Sequence, residues 1–168
     1  GWQLTNTASG GGDLTIPSGS IIPAQGFFLI SHFSETSSRS ILNIAPDWQT
    51  TTIALSNSCV PIELVMPVNE KGGVVIDSMD CVGTKYFAGL NDTDLPLKKS
   101  MERNLTLKDG GLASSWQTSA GFVNLDATAA LSNFATPKKS NDDSKPLEDI
   151  GLVNDGLTVD KDFTALKT

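Results

Sequence analysis

Cys59 and Cys81 are the residues of this sequence whose type and spacing most directly suggest chemistry. They bracket two short apolar runs, Cys59-Val60-Pro61-Ile62-Glu63-Leu64-Val65-Met66 and Val74-Val75-Ile76-Asp77-Ser78-Met79-Asp80-Cys81, joined through Asn69, Glu70, Lys71, Gly72 and Gly73. A Gly-containing connection of that length between β-rich runs reads as a hairpin. With the turn centred near Glu70, Ile62 faces Ser78, Leu64 faces Ile76 and Cys59 faces Cys81. Opposed residues of a non-hydrogen-bonded pair bring their Cα atoms within about 6 Å, the range a disulfide needs. A cross-strand disulfide, and with it an oxidising compartment, is one expectation; two unpaired thiols near the rim are the alternative.

The remaining chemistry-bearing residues are sparse. His32 is the only histidine, and no Gly-x-Ser-x-Gly nucleophile elbow exists, so a hydrolytic triad has no parts and the chain reads as a non-enzyme. Two cysteines and one histidine do not make a structural zinc set. Hard oxygen ligands for calcium occur in Asn91-Asp92-Thr93-Asp94 and Asn141-Asp142-Asp143. Asp92, Asp94, Asp142 and Asp143 are weak candidates, because neither segment has the ligand spacing or closing Glu of an EF-hand; solvated turn residues are the preferred reading, and no other cofactor is implied. Arg103, beside Glu102, reads as a structural guanidinium that caps carbonyls or pairs with an Asp at a sheet edge. Trp2 and Trp116 read as core or rim packing rather than a sugar-stacking platform. Asn91-Asp92-Thr93 and Asn104-Leu105-Thr106 fit the glycosylation acceptor pattern, which matters only in a eukaryotic secretory setting.

The elements that must carry these residues are strands. Of the 168 residues 39% are hydrophobic and 18% charged, with Ser, Thr, Asn and Gly recurring between short apolar runs, and no stretch resembles a long helix. This length suits one domain with a core and a tail. Gly1 to Asn6 reads as a strand, Gly10-Gly11-Gly12-Asp13 as a turn, and Phe27-Phe28-Leu29-Ile30 as a sandwich-core strand after a Pro23 to Gly26 turn. Residues 32–52 read as a long surface loop with room for a short helix around Ile41 to Ile44. A loop over 83–94 leads to Ser100-Met101-Glu102-Arg103, then Leu112 to Gln117, a short apolar piece near Phe122 to Leu125, and Asn133 to Pro137. From Lys138 the composition turns to Lys, Asp, Ser and Pro, so residues 142–168 read as a linker and tail with a weak hairpin pattern around Asn154-Asp155-Gly156.

A net charge of -7 disfavours nucleic acid and anionic lipid, since phosphate binding needs clustered cations. The small basic patch of Lys98, Lys99, Arg103 and Lys108 reads as solvated surface. No apolar run has the length of a membrane span, so no membrane insertion is expected. Gly1 follows no Met and no signal pattern, and the sequence is expected to begin inside something larger or to have been processed.

Taken in order, several pieces resemble the lamin-tail domain, in its bacterial extracytoplasmic form. They are Gly1-Trp2-Gln3-Leu4, Leu14-Thr15-Ile16-Pro17-Ser18-Gly19, Ile22-Pro23-Ala24-Gln25-Gly26-Phe27-Phe28-Leu29-Ile30, Ala54-Leu55-Ser56-Asn57-Ser58, Ile62-Glu63-Leu64, Gly73 to Ser78, Ser100 to Arg103, Trp116, and Ala135-Thr136-Pro137 running to Asn141. The resemblance implies an all-β, immunoglobulin-like β-sandwich over residues 1–141 that makes contacts rather than performing chemistry, and it offers no catalytic residue. It implies a secreted or cell-surface setting, with a protein partner or neighbouring domains of the same polypeptide. Such domains usually open with a strand ahead of the Gly-Trp strand, so relative to the family this chain is truncated at its start. An uncovered sheet edge is then expected, open to the 150–159 segment, a neighbouring domain or edge-to-edge pairing of two copies. A carbohydrate-binding module is the alternative; it needs two or three coplanar exposed aromatics from a chain that is 7% aromatic.

Overall fold

One asparagine shapes the first hairpin. Strands β1 (Gln3–Ala8) and β2 (Gly12–Thr15) pair antiparallel around Gly10 and Gly11, both at φ +80°, with Gly11 N–H donating to Ala8 O at 3.1 Å. Inside β1, Asn6 takes φ +56°, a region that Asn tolerates better than most residues, and the register shifts between Leu4 and Ala8. Side-chain bonds replace the interrupted ladder. Asn6 N–H donates to Asp13 Oδ1 at 3.1 Å and Asn6 Nδ2 to Pro61 O at 2.8 Å.

This computed structural model describes residues 1–69, 72–92, 94, 97–105, 109–128 and 132–141, and among them the fold is all-β. The later strands are β3 (Ile30–Ser31), β4 (Trp48–Gln49), β5 (Ile62–Asn69), β6 (Gly72–Met79), β7 (Leu90–Asp92), β8 (Leu97–Lys99), β9 (Met101–Arg103), β10 (Trp116–Thr118) and β11 (Asn133–Phe134). A 3-10 turn, Ala113–Ser115, leads into β10. The largest sheet has the order β2-β1-β5-β6, wholly antiparallel; β9 pairs with β10, β7 and β11 flank β8, and β3 pairs with β4. No helix of the described residues is long and apolar enough to cross a membrane.

The β5–β6 hairpin corrects the expected register. Ile62 faces Met79, Leu64 faces Asp77 and Val65 faces Val75, with irregularities at Leu64/Val65 and Pro67/Asn69. Pro67, opposite Gly73, has no N–H to give the ladder, so pairing there cannot run uniformly. Gly73 fits because a Cβ would meet Val65 Cγ1, with Met66 O at 2.7 Å.

Two further expectations change. The Phe27 to Ile30 run does not form one core strand: Phe27 is exposed, and Leu29 N–H bonds the Asp47 carboxylate at 2.7 Å instead of a ladder partner. Only Ile30–Ser31 pairs, parallel to Trp48–Gln49, so the 32–52 loop contains a strand. Around Ile41 to Ile44 there is no helix; Leu42 is bridged to Leu125, and Asp126 N–H donates to Ile41 O at 2.8 Å. Among the described residues the buried apolar side chains are Ala8, Leu14, Cys59, Met79 and Leu125. Thr7, Ser115 and Ser119 are also buried, with their hydroxyls bonded to the carbonyls of Leu4, Asp109 and Gly121, which meets the requirement that buried polar groups find partners.

Candidate functional site

The outer strand β6 is where residue types and exposure disagree. Val74, Val75 and Ile76 are three successive β-branched residues at 49%, 48% and 50% exposure, and among the described residues β6 ladders with β5 alone. Normal alternation would hide every second one. An edge strand with apolar side chains and unshared N–H and C=O groups is a template for another strand, which proteins ordinarily blunt with Lys, Pro or a covering loop.

Ile76 also lines a cavity of about 360 Å³ with Trp2, Ile16, Ser20, Ile22, Phe28 and Leu64. Trp2 is placed there by β1, whose Leu4 lies opposite both Leu14 and Leu64, and by Ile16 N–H, which donates to Trp2 O at 2.7 Å. Edge and groove therefore form one apolar region.

The far end of β6 is anchored. Arg103 Nη1 and Nη2 donate to Asp77 Oδ2 and Oδ1 at 2.8 and 3.2 Å, a two-pronged pair, and the guanidinium lies 5.0 Å from the Trp116 ring centroid. Antiparallel pairing of Arg103 with Trp116 sets that stack. Trp116 Nε1 donates to Gly110 O at 2.7 Å, which holds the 109–112 loop against Ser78. On the other side of β9, Glu102 is 6% exposed and its Oε1 accepts from Ser100 Oγ at 3.2 Å and Thr136 Oγ1 at 2.8 Å. Asn141 Nδ2 donates to Arg103 O at 2.7 Å, so the last described residue sits one side chain from β6.

The structure brings Arg103, Trp116 and Asp77 together and places Trp2 separately in the groove. It joins Cys59 to Cys81 by a disulfide, Cα to Cα 5.9 Å, just outside the β5–β6 ladder. Asp94 is exposed, while the Asp92 side chain, Asp142 and Asp143 lie outside what is described; among the described residues no three His, Cys, Asp or Glu converge as a metal set. His32 contacts the Ile53 carbonyl at 3.2 Å through Nδ1 and Phe33 edge-on. Of the basic patch, Lys98 bonds Asn91 Oδ1, Lys99 lies over Phe134 and Lys108 is outside the described residues. Asp77 and Gly110 were not singled out from sequence. The unbroken Val74-Val75-Ile76 run beside a polar Asp77-Ser78 was the signal available for the edge.

Among the described residues the fold is all-β, with an apolar sheet edge at β6 that no described strand pairs. Comparison with known proteins returns no match: no family model, no curated protein and no solved structure matches the chain.

Proposed function

We propose that the chain is a non-catalytic interaction module of an exported or cell-surface protein, an immunoglobulin-like sandwich of the lamin-tail kind that accepts an extended strand along β6. The observation that carries this reading is the exposed Val74-Val75-Ile76 edge running into the Trp2 groove. Strand addition uses main-chain hydrogen bonds for affinity and side-chain pockets for selection, and this edge offers both. The Cys59–Cys81 disulfide supports an oxidising, extracytoplasmic setting.

Burial of the exposed halves of three β-branched side chains yields about 1 kcal/mol each, while ordering a strand costs about 1–2 kcal/mol per residue. Apolar contact alone therefore does not hold the strand. Ladder bonds or a tether must contribute. Amide exchange at residues 73–78 of the full chain, alone and with a short peptide of alternating Val and Thr, tests the reading. Slow exchange of the edge amides in either condition, abolished by Val75→Lys/Ile76→Lys, is the expected result; solvent-rate exchange in both conditions overturns it.

A further inference from the structure

We propose that residues 150–159 of this same chain are the strand that β6 accepts, joined in cis. The inference rests on the strand-accepting reading above and names the source of the strand.

The starting point is fixed by geometry. Asn141 bonds the carbonyl of Arg103 at 2.7 Å, and the guanidinium of that arginine holds Asp77 of β6 at 2.8 Å. The following eight residues, 142–149, are Asp-Asp-Ser-Lys-Pro-Leu-Glu-Asp, a polar, Pro-containing connector. Extended, they reach about 26 Å at roughly 3.3 Å per residue, enough to run from Asn141 back along a strand the length of β6. Beyond them the pattern changes to Ile150-Gly151-Leu152-Val153 and Leu157-Thr158-Val159 on either side of Asn154-Asp155-Gly156. Ile150 and Leu152 share one face of an extended strand, the arrangement needed to meet Ile76 and the Trp2 groove while Val153 meets the opposite face of the edge.

A second copy is the competing source, and charge argues against it. Two chains of net charge -7 repel at neutral pH, whereas a tethered segment approaches without that long-range cost and at high effective concentration.

Amide exchange on the full chain, wild type and Leu152→Asp/Val153→Asp, tests this without added peptide. Thr164→Asp, beyond the segment, serves as the control. The expected result is protection of the outward amides of residues 74–77 in wild type and control, at least roughly tenfold faster exchange in the double variant, unchanged β1 and β5 amides, and no dependence on protein concentration. Protection that disappears on dilution assigns the strand to a second copy and overturns the cis assignment. Protection untouched by the double variant overturns it too, while leaving a strand-accepting edge in place. An unprotected edge in wild type overturns it as well, and whether an added Val-Thr peptide slows that exchange then decides the broader reading separately.

Discussion

At Gly110 the loop from Asp109 to Leu112 runs so close to β6 that an added Cβ would meet the Ser78 carbonyl oxygen, with Arg103 Nη1 at 2.6 Å and Asp77 Oδ1 at 2.7 Å. Gly110→Ala forces backbone apart, a change that costs about 1–3 kcal/mol. For a chain of this size that lowers Tm by about 3–10 °C in a thermal melt. Gly111→Ala, whose nearest neighbour is Asp109 Oδ1 at 3.3 Å, shifts Tm less; equal shifts would remove the close approach as the cause. Arg103→Lys keeps the charge but loses the second prong on Asp77 and the flat face over Trp116. Because Asp77 is half-exposed, a double-mutant cycle of Arg103→Lys with Asp77→Asn is expected to give a coupling of about 1 kcal/mol or less, and a larger value would mean the pair is better shielded than its exposure indicates. Asp47 provides the pH dependence. Its carboxyl is held below the usual carboxylate range, first by the hydrogen bond from Lys138 at 2.7 Å and then by Leu29 N–H. A depressed folded pKa stabilises the fold above the unfolded value, about pH 4, and that stability is lost as pH falls through the folded value. Melts of wild type and Asp47→Asn should therefore differ at neutral pH and converge in strong acid, and a constant offset would contradict the sign.

At the scale of elements, the disulfide and the β5–β6 hairpin act as one unit. Cys59 and Cys81 are 22 apart in sequence, and closing a loop of that size contributes about 3 kcal/mol in the chain-entropy account. Cys59→Ala/Cys81→Ala should lower Tm by about 6–12 °C, and intact mass after alkylation should rise only if reduction comes first. An unchanged Tm would mean that the hairpin ladder alone fixes the ends. This pairing was legible because two cysteines flanked one hairpin, yet the register between them was not. Uniform pairing put Leu64 opposite Ile76, whereas the irregularities at Leu64/Val65 and Pro67/Asn69 put it opposite Asp77. Asp77 is thereby the residue that meets Arg103, a long-range partner that no local pattern announces. The same limit explains β3 and β4: their parallel main-chain ladder joins residues 18 apart, and the Phe27 to Ile30 run looked like a buried strand because periodicity does not reveal that the Leu29 N–H is captured by the Asp47 carboxylate. Arg103, beside Glu102, was read as a structural guanidinium that caps carbonyls or pairs with an Asp at a sheet edge, and the structure pairs it with Asp77. Its glycine and aspartate partners depended on tertiary contact.

The whole molecule is expected to divide after Asn141, where the strand-forming composition ends and a connector with Lys145 and Pro146 begins. Limited digestion with a glutamate-specific protease tests that division. Glu63 lies within β5 and Glu102 is buried in β9, so cleavage at Glu148 should precede cleavage within residues 1–137, and mass spectrometry should find a core ending at Glu148 as the first product. Early cuts between β1 and β11 would mean that the division lies elsewhere. The nicked protein carries a second reading. While the chain is intact, a docked tail competes at an effective concentration in the millimolar range, but a cut after Glu148 turns the same contact into a bimolecular one. Without the tether, the modest apolar gain at Val74, Val75 and Ile76 does not offset the ordering of a free segment at micromolar concentration. The β6 edge amides should therefore lose protection on nicking while the β1–β5 amides keep theirs, and adding the released 149–168 fragment at high concentration should restore it. Edge protection that survives nicking and removal of the fragment would show that the strand on β6 comes from somewhere other than the tail.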